Sequence, residues 1–170
     1  KGYEDTMIED IAKRAEVSKA TVYNYFPNKE SLLIGTADEV LDRVTDLVKN
    51  DLHECQNSEQ KLRRVLGEFV QASVDYLGLS RKLTYLNSCE ESALFSTRKD
   101  MIEILLGLVQ SAQDEGVFRA DADPGDIVDV IVGIYLIAQF QWSHIDRYTP
   151  EFLNEKLDRF FTAMLKSYYR

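Results

Sequence analysis

The sequence predicts an all-α fold, on three observations. First, 45% of the 170 residues are apolar, so the chain can bury a sizeable core. Second, apolar residues recur at helical spacing over long stretches, and no run alternates apolar and polar residues between turn signals as a strand does. Third, helix-starting and helix-ending residues separate those stretches, and the chain contains only three prolines and eight glycines.

Two short helices separated by a tight turn are predicted at the start of the chain. Thr6 and Glu9 have the spacing of a capping box, which favours a helix beginning at Thr6. Its apolar face comprises Ile8, Ile11, Ala12 and Ala15. Ser18 is a good N-cap for the second helix, on which Val22 and Phe26 form an apolar stripe. The pair therefore shares one small core, as in a helix-turn-helix.

The other side chains of the second helix form an outward polar face. In helix-turn-helix proteins this helix enters the major groove, where lysine suits guanine acceptors and asparagine suits adenine, while hydroxyls and a nearby lysine suit phosphates. The predicted DNA-contacting residues are Thr6, Ser18, Lys19, Ala20, Thr21, Tyr23, Asn24, Tyr25 and Lys29. The alternative interpretation is an ordinary solvated helix face.

A dense resemblance to the DNA-binding domain of the TetR (tetracycline repressor) family lies in residues 11–33, which read IAKRAEVSKATVYNYFPNKESLL. The family pattern is I-A-x-x-A-G-V-S-x-x-T-hydrophobic-Y-x-Y-F-x-x-K-x-x-L. Glu16 departs from it where glycine is usual, and a non-glycine residue in the left-handed conformation costs about 1–2 kcal/mol. Because the family's DNA-binding unit has three helices, and Lys1-Gly2-Tyr3 resembles the loop after the first, we expect one helix to precede Lys1.

Further helices are predicted from apolar periodicity. A long one follows the break at Pro27-Asn28 and covers residues 31–52, and another begins near Ser58 and continues to Leu77. A short helix is predicted at residues 81–88. The next is defined by apolar residues from Met101 to Ala112 and ends at Gly116.

A second motif supports the resemblance. Residues 116–124, GVFRADADP, resemble the G-x-F-R-x-D-x-D-P turn that many TetR-family bodies carry, with Asp123 as a cap and Pro124 in the first turn. The helix that follows, Gly125 to about Asp146, is apolar around most of its circumference and must be covered on several sides. A last helix starts near Pro150.

Charge and cysteine usage limit the class of protein. The formal net charge is −9, but residues 1–35 contain five Lys or Arg against six Asp or Glu, so their net charge is only −1. The net charge therefore does not exclude DNA binding, and it predicts a modest affinity for DNA of unrelated sequence. Two distant cysteines, Cys55 and Cys89, indicate a reduced, cytoplasmic protein. The longest apolar run, residues 127–140, is too short to span a bilayer.

No catalytic or metal-binding constellation is present in the sequence. His53 and Cys55 lack the second ligand pair of a zinc site. No Ser-His-Asp set and no glycine-rich phosphate loop occurs. We therefore expect no catalytic residue, no metal, no cofactor and no membrane partner.

The resemblance implies a homodimeric transcriptional repressor with a helix-turn-helix domain at residues 1–45 and an effector-binding and dimerisation domain at residues 46–170. It would bind a palindromic operator in double-stranded DNA and respond to a small, largely hydrophobic molecule. The predicted effector pocket comprises Phe69, Tyr76, Tyr85, Leu105, Leu108, Tyr135, Trp142 and His144, although core packing is the simpler interpretation of each. The predicted dimer interface comprises Ile134, Phe160, Phe161 and Met164. The alternative function is a TetR-like adaptor that binds a protein partner instead of DNA.

Overall fold

The computed structural model, which describes residues 5–75, Lys82, 94–141 and 150–170, is helical. The helices are α1 (Ile8–Arg14), α2 (Lys19–Tyr25), α3 (Lys29–Asp46), α4 (Ser58–Asp75), α5 (Leu94–Asp114), α6 (Pro124–Gln141) and α7 (Pro150–Leu165). Between α3 and α4 lie a π-helical turn, Leu47–Asp51, and a 3-10 turn, Leu52–Glu54. Within the described segments, β pairing is limited to one isolated bridge between Phe118 and Tyr169. The all-α prediction is confirmed.

Side-chain caps start α2 and α3. The Ser18 hydroxyl accepts a hydrogen bond from the Thr21 backbone N–H at 3.0 Å, as predicted. Asn28 caps α3 by accepting from the Ser31 N–H at 2.8 Å. The capping box predicted with Thr6 as the N-cap is wrong: α1 begins at Ile8, one residue later than the box requires, so Met7 is the N-cap residue, and its side chain makes no cap hydrogen bond.

The helices α1 and α5 end in the same left-handed turn. Glu16 has φ 57° after α1, and Gly116 has φ 74° after α5. The Val17 N–H donates to the Ala12 carbonyl at 3.0 Å, and the Val117 N–H donates to the Ala112 carbonyl at 2.9 Å. In both turns the acceptor lies five residues before the donor. This is the Schellman arrangement, in which glycine is preferred because it has no Cβ.

The helix-turn-helix has its own small core. Ile8, Ala12 and Val22 are at most 8% exposed, and Phe26 and Leu32 pack against them. The end of α2 also lies close to α3, because a Cβ added to Gly35 would be only 3.0 Å from the Phe26 ring. The relative position of α2 and α3 is therefore fixed by packing.

Helix α3 joins this unit to the body formed by α4–α7. Near its end, Val44 is fully buried in the main core. The Thr97 hydroxyl of α5 lies 3.2 Å from the Asp38 carboxylate, and Arg43 lies 3.6 Å from Glu68 of α4. The C-terminal part of α3 thus belongs to the packing of the body. The division into domains at residue 45 stays a prediction.

The body core is apolar, and a polar network lies at its edge. Its fully buried side chains include Leu62, Val65, Val109, Ile127, Ile131, Ile134, Phe161 and Leu165. At the edge, the Arg63 guanidinium pairs with Glu59 at 2.8 Å and with Asp158 at 3.0 Å. The Tyr169 hydroxyl donates to Glu59 at 2.6 Å. This network connects α4 to α7 and to the residues that follow α7.

The predicted helix boundaries differ from the observed ones at two places. The chain is helical over the predicted residues 31–52, but the α-helix itself spans Lys29–Asp46, and residues 47–52 continue it as the π-helical turn and the start of the 3-10 turn. Helix α5 begins at Leu94, well before Met101, because its first turns carry polar side chains that hide the apolar pattern. Of the short helix predicted at residues 81–88, only Lys82 lies among the described residues.

Candidate functional site

Helix α2 presents a polar face to solvent. Val22 is the side chain that α2 buries, at 7% exposure. Tyr25 is 76% exposed and Tyr23 is 40% exposed, and the other exposed residues here are Ser18, Lys19, Ala20 and Asn24. Thr21 is half-buried, and its hydroxyl lies 2.7 Å from that of Ser18. Six of the predicted DNA contacts therefore lie on one exposed element, and Thr21 contributes to the cap.

Lys19 has a partner that the sequence did not indicate. Its ammonium donates to the carboxylate of Glu9 on α1, and the two side chains are 54% and 46% exposed. The Tyr23 ring lies 5.6 Å from the same ammonium. This hydrogen bond raises the pKa of Lys19 and lowers the pKa of Glu9, so both groups are charged at neutral pH. The sequence predicts Glu9 in the cap of α1, because a contact with a residue ten positions away has no local sequence signal.

Thr6 and Lys29 lie outside α2 and are half-buried. Lys29 is the first residue of α3, an 18-residue helix whose N-terminal amides favour an anion. Their roles as phosphate contacts stay predictions.

The predicted effector residues that the structure describes belong to the body core. Phe69 and Leu105 are 4% and 3% exposed, and half-buried Leu108 and Tyr135 pack against the same core. The Phe69 and Tyr135 rings meet edge to face, with centroids 6.0 Å apart. Tyr76, Tyr85, Trp142 and His144 lie outside the described residues, so the enclosure of a pocket stays a prediction.

Two of the predicted dimer residues need correction. Ile134 and Phe161 are fully buried within one chain, so they present no surface to a second copy. Their place in the core explains the apolar pattern that suggested an interface. Met164 is 37% exposed and Phe160 is half-buried, so these two remain candidates.

Within the described segments, no helix is both long enough and apolar enough to cross a lipid bilayer.

Sequence comparisons match both parts of the chain. Residues 1–35 match bacterial regulatory proteins of the tetR family, and residues 57–151 match the C-terminal domain of SbtR-like transcriptional regulators. The regulator BetI of Escherichia coli K12 / DH10B is 35% identical over 152 residues, covering 86% of this chain and 78% of BetI. The fatty acid metabolism regulator protein of Bacillus subtilis is 33% identical over 67 residues, covering 39% of this chain and 34% of that relative.

A solved structure has the same architecture. FadR of Bacillus subtilis, in complex with stearoyl-CoA, superposes with a TM-score of 0.74 at 20% identity, covering 96% of this chain and 90% of FadR. At this identity the likeness concerns the fold. The two family matches and the 35% identity to BetI establish that the chain belongs to the TetR family of bacterial transcriptional regulators.

Proposed function

We propose that the chain is a cytoplasmic, homodimeric repressor that binds a palindromic DNA operator through α2 and releases it when a small, largely hydrophobic effector occupies the body. The observation that carries this proposal is the exposure of the α2 polar face around the buried anchor Val22. Packing holds the helix in place, and its amide, hydroxyl and ammonium groups stay available to base edges.

The DNA-binding step assigns different roles to Asn24 and Lys29. Asn24→Ala should weaken binding to the selected operator by about 1–3 kcal/mol, because a bidentate contact to adenine is lost. Lys29→Ala should weaken binding to all duplexes alike and reduce the slope of log affinity against log salt concentration by about 1, because the lysine that contacts phosphate is lost. Lys49→Ala is the matched control, since Lys49 is exposed in the π-helical turn at the far end of α3.

The operator for these assays is obtained by sequencing the DNA that the purified protein retains. Operator binding by Asn24→Ala at the affinity of the unaltered protein would contradict the proposed base contact. If Lys29→Ala and Lys49→Ala weaken binding equally, only total charge matters, and the phosphate contact at Lys29 is rejected.

The effector step rests on the apolar character of the body. The edge-to-face pair of Phe69 and Tyr135 and the buried Leu105 supply an aromatic and aliphatic environment that suits a largely hydrophobic ligand. FadR of the same fold was solved with stearoyl-CoA, which supports this ligand class. Effector binding would lower DNA affinity only if it favours body conformations in which α3 carries α2 away from its DNA-binding position.

A thermal-shift screen of hydrophobic metabolites tests this step. A ligand at about one hundred times its dissociation constant should stabilise the protein by roughly 2.7 kcal/mol and should release the operator. Leu105→Trp should reduce this response and leave operator binding intact, because α2 is untouched. If polar or ionic compounds alone shift the unfolding temperature, the hydrophobic effector is rejected.

Dimerisation would bring two α2 helices to successive half-sites. We propose that the interface lies on α6 and α7, where the apolar residues Leu136 and Met164 are 36% and 37% exposed.

The alternative is an adaptor that binds a protein partner. The net charge of −9 and the pairing of Lys19 with Glu9 favour it, because both reduce attraction to phosphate. A steep loss of duplex affinity with added salt supports the repressor, since counterion release accompanies phosphate contact. Weak duplex binding with no preference for any sequence, or no duplex binding at all, supports the adaptor.

A further inference from the structure

The ion pair between Glu9 and Lys19 joins the first turn of α1 to the first residue of α2. An exposed ion pair contributes little to folding, so it is not required to hold the two helices together. The buried side chains of Ile8, Ala12 and Val22 already make that contact. The consequence of the pair lies in the charge that α2 presents to DNA.

Glu9 cancels the charge of Lys19 but keeps its ammonium in place. Lys19 is the only Lys or Arg within α2, so the paired surface of this helix carries no net positive charge. The Tyr23 ring, 5.6 Å from the ammonium, restricts it on a second side. Glu9 and Tyr23 therefore hold the Lys19 ammonium in position as a hydrogen-bond donor.

An ammonium that stays bound to Glu9 favours contact with base edges over contact with phosphates. The group has three N–H donors, so it can keep its bond to Glu9 while donating to the O6 and N7 acceptors of a guanine in the major groove. A phosphate contact would instead draw the ammonium toward the DNA backbone and bring the Glu9 carboxylate beside phosphate charges. The first arrangement keeps every charge paired, whereas the second places like charges together.

We propose that Glu9 is a positioning residue for DNA specificity, which directs Lys19 to a base edge and disfavours its contact with phosphates. This inference rests on the proposed operator binding by α2. It assigns a recognition role to a residue outside α2. Glu9 favours the base contact of Lys19, and its carboxylate also lowers the affinity for DNA of other sequences.

The test compares Glu9→Gln with the unaltered protein on two duplexes of equal length, the retained operator and a mixed-sequence DNA, over a series of salt concentrations. Glu9→Gln should raise affinity for mixed-sequence DNA about three- to tenfold at low salt and steepen its salt slope by about 0.9, as expected for one added phosphate contact. The ratio of operator to mixed-sequence affinity should fall by a similar factor. The thermal unfolding midpoint should not change, which separates specificity from folding.

Glu16→Gln is the matched control, because it removes the same charge from the exposed turn between α1 and α2. Adding Glu9→Gln to Lys19→Gln should leave the affinity ratio as it is in Lys19→Gln alone, since Glu9 acts through Lys19. An unchanged ratio in Glu9→Gln, or an equal change in Glu16→Gln, overturns the inference and leaves operator binding intact. Unaltered protein that binds neither duplex at any salt overturns the proposed function and this inference with it.

Discussion

Replacing Glu16 with glycine should stabilise the helix-turn-helix. Glu16 has φ 57°, and its side chain is exposed. Relief of the left-handed backbone gains about 1–2 kcal/mol. The greater freedom of glycine in the unfolded chain offsets about 0.5–1 kcal/mol. The expected net gain is about 0.5–1 kcal/mol, which for a chain of this size raises the unfolding midpoint by about 1–4 °C.

The local assay for this gain is amide hydrogen exchange at Val17. Its N–H donates to the Ala12 carbonyl at 3.0 Å, across the Glu16 turn. Exchange through local opening should slow about two- to fivefold in Glu16→Gly, which corresponds to the gain in free energy.

Glu16→Ala separates backbone strain from charge, since it removes the carboxylate but keeps a Cβ. We expect no gain from it. At the equivalent turn after α5, Gly116→Ala should cost about 1 kcal/mol, because φ is 74° there. Equal stability of Glu16→Gly and Glu16→Ala would refute the backbone explanation.

Three further predictions concern the cap of α2, the polar network and the dimer. Ser18→Ala should cost about 1 kcal/mol of stability in chemical denaturation, because the Thr21 N–H loses its acceptor. The control is Ser167→Ala, since Ser167 is an exposed serine after α7; a loss in Ser18→Ala no larger than in this control would contradict the prediction. Burial and the hydrogen bond to Glu59 raise the pKa of Tyr169 to about 12, from 10.0. The folded state therefore holds this proton more tightly, so stability should fall as the pH rises from about 10 to about 12, and Tyr169→Phe should lose less stability over that interval. Met164→Asp should yield monomers by light scattering with an unchanged unfolding midpoint, whereas Ile134→Asp should unfold the chain; a folded dimer for Met164→Asp would exclude α7 from the interface at that residue.

Local signals in the sequence predicted much of the fold, because capping depends on neighbouring residues. Ser18, Gly116 and the pair Asp123-Pro124 act at the helix ends where they were predicted. Thr6 failed because Met7 could take the N-cap position without a side-chain hydrogen bond, and a preference of about 1 kcal/mol does not decide the register of a packed helix.

The candidate site was predicted less completely, because it depends on contacts between elements. The exposed residues of α2 follow from helical periodicity around Val22. The Glu9 contact with Lys19 follows only from how α1 crosses α2. Similarly, apolarity alone does not distinguish core from interface, so Ile134 and Phe161 were assigned to a surface although the chain buries them itself.

The way α3 is anchored makes it a lever arm. It has 18 residues, and at about 1.5 Å per residue its length is about 27 Å. Its end near Val44 is fixed in the core, and its other end carries α2. A tilt of about 10° at the fixed end would move the free end by about 5 Å, a large part of the roughly 12 Å width of the major groove. Asp38 lies about 9 Å and Lys29 about 22 Å from Val44 along the helix, so a displacement at Asp38 would reach the end that carries α2 enlarged about two- to threefold.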